Sequence, residues 1–285
     1  MKTILTVSII ATVLLSSCAF IETADEKIFQ DPKEIKPELA AKYAIYAMMA
    51  SNAYHDEEDD DKNKKKPFPL ELANWILVDE NGKPTNNPTK TYISGLAYDI
   101  YEKKDSDEVV FAIRGTDSLI RDFLFANFSV GLSPQYQEIN EAVNQYIEHH
   151  PNKKIVATGH SLGGGLSLSV SVHCHYGDYV GHTIDAITFD SSPRIFDGAG
   201  DHHQKGNRIL IYQKDEILSY IRKVWRKLYE VVPPENIYKT EFQFIAGSGN
   251  HDMYHLALGL LDLSAEIHNP ELDLIRRNVI TKSTN

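Results

Sequence analysis

The feature that most constrains this chain is a glycine-rich turn within residues 152–175, NKKIVATGHSLGGGLSLSVSVHCH. An apolar run at 155–157 before the turn is typical of a buried strand, and small and apolar residues follow it at helical spacing. The turn itself, residues 159–163, has the pattern G-x-S-x-G, which between a strand and a helix forms a nucleophile elbow. Its two glycines let the backbone reverse sharply on either side of Ser161. The pattern therefore predicts a strained Ser161 at the strand end, with its hydroxyl exposed above a helix N-terminus.

Length and charge limit the classes of function that are open to the chain. With 285 residues the chain is long enough for one sizeable α/β domain with a large core. The formal net charge is −11, and no long basic stretch is present that could bind phosphates. We therefore expect no nucleic-acid partner. We also expect no internal membrane span, because no internal apolar run reaches about 20 residues.

The N-terminal segment differs in character from the rest. A short basic start is followed by the apolar run ILTVSIIATVLL at 4–15, which has the length of a secretory signal. The small residues that lead into Cys18 resemble a bacterial lipobox, in which the cysteine carries lipid. We expect residues 1–17 to be a lipoprotein signal peptide and Cys18 to anchor the protein in the bacterial cell envelope. Because Ala19 follows it, this would be the outer membrane in a Gram-negative organism. The alternative is a plain signal peptide with an incidental Cys18.

The remainder divides into a polar, proline-containing tether at 18–37 and one domain at 38–285. Within that domain apolar strand patterns alternate with helical ones. Strands are predicted at 91–101 and 108–113 (a hairpin), 155–157, 184–189, 207–213 and 237–245, with 70–78 either a strand or a short helix. Helices are predicted at 37–54, 134–149, after the elbow, at 216–230, and from the segment 249–263. This alternation is typical of a mainly parallel sheet with helices on both faces, which has its chemistry at the carboxyl ends of the strands.

A serine nucleophile needs a histidine base that is held by a carboxylate, and in this strand-turn-helix context the order along the chain is Ser, acid, His. Asp215 fits the acid best, because it follows the strand 207–213 and precedes a helix. Asp190 also closes a strand and is the alternative. Either carboxylate could instead be an ordinary turn or helix-cap residue.

Among the twelve histidines, His251 is the best candidate for the base, since it lies downstream of Asp215 in a glycine-rich loop before a helix. His255, one helical turn later, is the alternative. The two histidines with an acid between them loosely resemble the zinc motif H-E-x-x-H, but a zinc site would need a third ligand and would leave Ser161 unexplained. We therefore predict neither a metal ion nor another cofactor.

The tetrahedral intermediate of acyl transfer needs two hydrogen-bond donors for its oxyanion. The backbone N–H of Leu162, directly after the nucleophile, is the first. The second should come from a loop after an earlier strand, and Thr116 in the segment Arg114-Gly115-Thr116, which follows the strand 108–113, is placed for that. One such donor is typically worth about 3 kcal/mol of the barrier.

Three features together resemble the class 3, fungal-lipase-like family of the α/β-hydrolases: the pattern F-x-x-R-G-T at 111–116, G-H-S-L-G-G at 159–164, and the Ser-Asp-His order. The resemblance covers roughly residues 38–265. It implies the α/β-hydrolase fold, a serine carboxylic ester hydrolase acting on lipids, Thr116 and Leu162 in the oxyanion hole, and a lid within 118–133. The chain departs from the family where Asp190 replaces a glycine after the strand ending in Thr-Phe, and where only Tyr254 represents the aromatic that follows the catalytic histidine.

The sequence thus predicts an enzyme with a lipid ester as substrate, a triacylglycerol lipase or a phospholipase A, tethered to a membrane through Cys18. An esterase for small esters, a thioesterase or an acyltransferase on the same fold is the alternative. A lipoprotein without catalytic activity would leave the elbow, the oxyanion motif and the acid and base without a purpose.

Overall fold

The computed structural model describes residues 33–54, 66–86, 92–115, 134–173, 183–192, 206–213, 240–244 and 251–283. Within these ranges the strands are β1 (Lys33–Glu34), β2 (Trp75–Val78), β3 (Tyr98–Lys103), β4 (Glu108–Ile113), β5 (Lys154–His160), β6 (Asp185–Phe189), β7 (Arg208–Gln213) and β8 (Thr240–Phe244). The α-helices are α1 (Pro37–Asn52), α2 (Pro134–His149), α3 (Leu162–His173), α4 (Met253–Leu263) and α5 (Pro270–Ser283). Short 3-10 helices lie at Leu70–Ala73 and Ser264–Glu266.

The strands of the described ranges form one mixed sheet in the order β1-β8-β7-β6-β5-β4-β3-β2. Neighbours from β4 through β8, and β1 beside β8, pair in parallel, whereas β3 runs antiparallel to both β4 and β2. The register places Ile113 beside Gly159 and His160 beside Phe189. The carboxyl ends of β4, β5 and β6 therefore meet at one edge. The predicted α/β fold with a mainly parallel sheet is confirmed.

Helices cover both faces of the sheet, as predicted. Side chains alternate along β4, so that Val110 and Ala112 belong to the core under α1, α4 and α5, while Phe111 and Ile113 belong to the core under α2 and α3. This alternation explains why β4 reads as an almost continuous apolar run.

The first helix, α1, packs closely against the sheet, and its C-terminal end lies near the edge where β4, β5 and β6 end. Its small residues Ala44 and Ala47 are fully buried, which lets the helix lie close to the sheet. At its last residue, the Asn52 side chain donates to the Phe68 carbonyl at 2.9 Å and accepts the Phe68 N–H at 2.8 Å. This pair of bonds fixes the end of α1, and with it Tyr54, which follows two residues later.

Two predictions near the start of the domain need correction. The predicted strand 91–101 starts too early, because the segment before β3 closes a turn in which Gly95 N–H bonds to the Tyr92 carbonyl and Gly95 adopts a φ of 87°. Ile93 in this turn is fully exposed, so the apolar pattern there does not report a sheet face. At 70–78 both alternatives occur in succession, because Asn74 at a φ of 61° ends a 3-10 turn just before β2.

The helix α5 was not predicted, and β1 lies within the segment predicted as a tether, with the neighbouring Ile35 only 4% exposed. A two-residue strand has too short a pattern to be read from a sequence, so its pairing with β8 is visible only in the assembled sheet. The predicted signal peptide, Cys18, the segment 118–133, the predicted helix at 216–230 and Cys174 lie outside the described residues. No helix of the described part combines the length and apolar character that crossing a membrane requires.

Candidate active site

Ser161 stands between the last residue of β5 and the first residue of α3, at a left-handed φ of 57°. Its N–H donates to the Phe189 carbonyl at 3.1 Å, and its own carbonyl accepts N–H groups from Ser192 at 2.8 Å and Gly165 at 3.2 Å. The backbone around the serine is therefore tied to β6 on one side and to the first turn of α3 on the other. This is the strained strand-to-helix turn that the motif predicts. The residue is 6% exposed, less than the exposed hydroxyl that we expected.

The two glycines of the elbow are required by close approach of the backbone. A Cβ on Gly159 would lie 2.5 Å from the Gly163 carbonyl oxygen and 2.7 Å from that of Ile113. A Cβ on Gly163 would lie 2.9 Å from the carbonyl carbon of Arg114. Because real Cβ atoms do not approach backbone this closely, any side chain at either position would push the first turn of α3 away from the end of β4.

That contact brings together the two backbone segments predicted to hold the oxyanion. Leu162 is the first residue of α3 and is buried. Thr116 lies just outside the described residues, and its neighbour Gly115 is the last one described. A Cβ on Gly115 would be 2.6 Å from the His160 carbonyl oxygen, so the chain that leads to Thr116 runs directly along the elbow. The oxyanion roles of Thr116 and Leu162 stay predictions that this arrangement favours.

A residue that the sequence analysis did not single out, Tyr54, joins these two segments. Its hydroxyl accepts the Gly115 N–H at 3.2 Å and lies 3.0 Å from Nδ1 of His160 and 3.5 Å from the His160 carbonyl oxygen. A phenol oxygen can accept two hydrogen bonds and donate one. With the His160 proton on Nδ1, the hydroxyl accepts from Gly115 and His160 and donates to the carbonyl, so all three contacts are satisfied. Tyr54 thus ties the end of β4 to the elbow.

His251 lies at the elbow as well, since its ring centroid is 4.4 Å from that of His160. It precedes α4, whose N-cap is Asp252, and it adopts a left-handed φ of 53°. His255 is one turn further along, with 59% of its side chain exposed and its Nδ1 3.0 Å from the Asp252 carboxylate. The position of His251 is the one expected of the base, and its assignment as such stays a prediction.

Asp190 is buried in the same place. It follows β6 at a φ of 41°, its N–H donates to the Ile211 carbonyl at 2.9 Å, and its Oδ1 accepts the Gln213 N–H at 2.7 Å. Asp190, His160 and His251 each have one atom, a carboxylate oxygen or a ring nitrogen, that could bind a metal ion, and these three atoms lie within 4.8 Å of one another. Asp215, two residues after Gln213, lies outside the described residues. The structure therefore brings the alternative acid next to His251, and the preferred acid stays a prediction.

Backbone strain independently marks this site. Among the described residues other than glycine, five have a positive φ: Asn74, Asp105, Ser161, Asp190 and His251. Asn74 and Asp105 are exposed residues in turns, away from the elbow. The other three converge on one edge of the sheet, where such conformations, at about 1–3 kcal/mol each, persist only if the surrounding structure holds them. Strain of this kind clusters at functional sites, and here it gathers at the predicted nucleophile, the predicted base and a buried carboxylate.

A protein-family model matches the part of the chain that contains most of this site. The model of a phospholipase-like family, the Tle-like phospholipase domain, matches residues 45–192, from α1 to just past β6. This segment contains Tyr54, Ser161 and Asp190, whereas His251 lies beyond it. No curated protein sequence matches the chain significantly.

Several solved lipase structures are similar to this chain at low sequence identity. They include a lipase from Rhizopus microsporus var. chinensis, with 16% identity and a TM-score of 0.48, covering 70% of this chain and 76% of that one. Lip2 lipase from Yarrowia lipolytica is 18% identical, with a TM-score of 0.42 and coverage of 68% and 77%. Lipase II from Rhizopus niveus is 16% identical, with a TM-score of 0.47 and coverage of 66% and 76%.

Proposed function

The chain belongs to the family of Tle-like phospholipase domains, whose model covers slightly more than half of it, and we propose on this basis that it hydrolyses acyl esters of membrane phospholipids as a phospholipase of the A type. That it is a serine carboxylic ester hydrolase for lipid esters follows from the family and from its elbow. The observation that carries the proposal is Ser161, strained between β5 and α3 inside the segment that the family model matches. The finer assignment, a phospholipid rather than a neutral glyceride, rests on the family.

The reaction proceeds through an acyl-enzyme. His251 takes the proton of the Ser161 hydroxyl as the oxygen attacks the ester carbonyl, and the N–H groups of Leu162 and Thr116 bind the negative oxygen of the tetrahedral intermediate. The intermediate collapses, the alcohol part of the lipid leaves, and His251 returns the proton to it. Water then attacks the acyl-enzyme with His251 again as base, which releases the fatty acid and restores Ser161.

The imidazolium that forms on His251 needs a negative partner, and Asp215 is that partner in our proposal. A carboxylate in this role holds the imidazole in the correct tautomer and stabilises its charge without becoming protonated. Asp215 follows β7, two strands beyond the elbow strand in the sheet, after the residue Gln213 whose N–H binds the buried Asp190.

The decisive experiment compares substrates with one purified protein. Vesicles of phosphatidylcholine and phosphatidylglycerol, a triacylglycerol emulsion and p-nitrophenyl esters of increasing chain length are incubated with the wild type and with Ser161→Ala. The free fatty acid and the lysophospholipid are then quantified. We expect one fatty acid per lysophospholipid from the vesicles and none with Ser161→Ala. Ser106→Ala, in the turn between β3 and β4, is the matched control and should retain the wild-type rate.

Other outcomes would replace the proposal with one of its alternatives. Faster turnover of the triacylglycerol emulsion than of the vesicles would make the protein a neutral lipase. A preference for short p-nitrophenyl esters that vesicles do not compete with would make it a small-ester esterase. If the wild type hydrolyses none of these substrates and a fluorophosphonate does not label Ser161, the chain is not a functional hydrolase.

We also infer that Cys18 carries lipid and holds the enzyme at the bacterial cell envelope. The support is the apolar run at 4–15 with small residues directly before the cysteine. Expression in bacteria with a labelled fatty acid should label the wild type and Cys174→Ala, the matched control at the other cysteine, but not Cys18→Ala. An unlabelled wild type, or label retained in Cys18→Ala, would contradict the anchor.

A further inference from the structure

Three side chains that meet beside the elbow, among them the proposed base His251, form a set of possible metal ligands, and the hydrolytic reaction does not require a metal at this place. His160 is 4% exposed and Asp190 is fully buried, while His251 is partly exposed, and their ligand-type atoms lie within 4.8 Å of one another. We propose that His160, Asp190 and His251 reversibly bind a divalent transition metal ion of the zinc class. The bound metal would inhibit the hydrolase by occupying the base, and this second part rests on the proposed function.

The ligand set fits such an ion by number, type and distance. Two imidazole nitrogens and one carboxylate oxygen are ligands of zinc sites with an open fourth position, whereas calcium and magnesium prefer oxygen ligands only. Bonds of about 2.1 Å in a tetrahedral site place ligand atoms about 3.4 Å apart. Because the ligand atoms lie within 4.8 Å of one another, closing their separation to this distance needs a movement of at most about 1.4 Å. His251 can supply it by rotating its side chain, because it is partly exposed and precedes α4 in the chain.

Each buried ligand also has the outer support that metal ligands need. Metal-binding histidines usually donate their second ring N–H to an acceptor, which fixes the ring and the tautomer, and ligating carboxylates are themselves hydrogen-bonded. Tyr54 takes this place at Nδ1 of His160, at 3.0 Å, and the Gln213 N–H takes it at Oδ1 of Asp190, at 2.7 Å. The second atoms of the two side chains, Nε2 of His160 and Oδ2 of Asp190, are both buried.

This site differs from the zinc motif that the sequence suggested for His251 and His255. His255 contacts the Asp252 carboxylate on the surface of α4, while His251 lies against His160. The spacing of four residues along the helix is therefore not what brings ligands together. The partners of His251 come instead from the ends of β5 and β6.

Metal binding and catalysis would exclude one another at His251. A nitrogen lone pair that coordinates a metal cannot also accept the Ser161 proton. The metal would thus act as a reversible inhibitor, removed by a chelator.

Binding is measured directly in Ser161→Ala, so that no activity is needed. Zinc chloride is titrated by calorimetry, and cobalt(II) is added as a spectroscopic probe because tetrahedral cobalt absorbs visible light. We expect one ion per chain. Asp190→Asn and His251→Asn, each added to this background, should weaken binding at least tenfold, since each removes one of three ligands. Asparagine tolerates the left-handed φ at both positions, and at 190 its side-chain oxygen can still accept the Gln213 N–H.

The matched control is His255→Asn, which removes an exposed histidine four residues from His251 and should bind zinc within twofold of the background. Absence of stoichiometric binding, or equal affinity in His251→Asn and His255→Asn, would overturn the site. If Asp190→Asn does not fold, His251→Asn decides alone, because its side chain is partly exposed.

A second arm separates this site from the proposed function. Zinc should inhibit vesicle hydrolysis by the wild type with the affinity measured by calorimetry, and EDTA should restore the rate. Binding in Ser161→Ala together with a wild type that hydrolyses no lipid would support the metal site and reject the phospholipase. Lipid hydrolysis by the wild type without zinc binding in Ser161→Ala would support the phospholipase and reject the metal site.

Discussion

The two helices that begin at the site, α3 and α4, each follow a polar residue that could cap a helix, and the two residues are used in opposite ways. Before α4, Asp252 has an extended backbone (φ −106°, ψ 113°), and its carboxylate accepts the His255 N–H at 3.1 Å. This is an ordinary N-cap. Before α3, Ser161 has a φ of 57°, far from the extended conformation in which caps reach the first helical N–H groups.

The difference shows what turns a serine at a helix start into a candidate nucleophile. The α4 cap uses its side chain to satisfy the helix, and the helix end is closed. At α3 the next residues, Leu162 and the glycines, have no side chain that could accept a hydrogen bond, and Ser161 lacks the extended backbone of a capping residue. The N-terminal N–H groups of α3 are therefore suited to binding an anion that arrives with the substrate.

The largest effect should come from replacing Ser161, and a glycine there also tests whether the turn is strained. Ser161→Gly removes the nucleophile, and kcat/KM should fall at least about 10⁴-fold. Because glycine adopts the left-handed conformation without steric cost, the same variant should gain about 1 kcal/mol in the free energy of unfolding, seen as a rise of about 2 °C in Tm by calorimetry. Ser161→Ala is the control, since it should lose the same activity without the gain. Equal Tm values for the two variants would show that the turn is unstrained.

The next largest effect should identify the acid. Asp215→Asn should lower kcat about 10⁴-fold, because the amide favours the wrong tautomer of the base. Asp190→Asn should lower kcat by about tenfold or less, since it removes only a nearby charge. Steady-state kinetics on one lipid substrate decides between them. If Asp190→Asn shows the larger loss, Asp190 is the acid and our assignment of Asp215 is wrong.

How much of this site could be predicted from the sequence depends on whether the residues of each part are contiguous in the chain. The elbow was predictable in detail, because β5, the glycines and the start of α3 are contiguous and each has a strong local signature. The motif implies that the elbow approaches a neighbouring strand. The contact between Gly163 and Arg114 itself was not visible in the sequence, because it depends on the register of the sheet. Secondary structure failed where patterns were short or misleading, as at β1 and before β3.

Tyr54 could not be predicted, and Asp190 was predicted only as the alternative acid, for the same physical reason: both depend on contacts between segments that are distant in sequence. Tyr54 reaches Gly115 across 61 residues of sequence, and its position follows from the packing of α1 against the sheet. No sequence pattern indicates that an aromatic residue just after a helix contacts the end of β4. Asp190 lies beside His160 because β6 adjoins β5, so its neighbours became visible only once the strand order was known.

A smaller effect is expected at Tyr54, which joins the elbow to the end of β4. Tyr54→Phe leaves the Gly115 N–H and His160 Nδ1 without this hydroxyl, and the chain leading to Thr116 loses its support. We expect kcat to fall about tenfold with KM almost unchanged, because a displaced oxyanion donor acts in the transition state.

The matched control for Tyr54 is Tyr46→Phe on the preceding helix α1, which removes a hydroxyl bonded to Glu108 at 2.6 Å, away from the elbow. Both variants should lose about 1 kcal/mol of stability by denaturant unfolding. Only Tyr54→Phe should lower kcat. If the two variants change kcat equally, Tyr54 acts through general stability and has no positioning role.

The smallest effect tests the other half of the comparison, the closed start of α4. Asp252→Ala should cost about 1 kcal/mol of unfolding free energy, because the His255 N–H loses its acceptor. Asp252→Asn keeps a capping oxygen and loses only the pairing with His255, whose side chain is 59% exposed and therefore well screened, so it should be nearly neutral. Both variants should hydrolyse lipid within about threefold of the wild type, because a cap fixes α4 without entering the reaction. A large loss of activity in Asp252→Asn would mean that the charge of Asp252 reaches His251, and that the start of α4 is part of the catalytic machinery rather than its support.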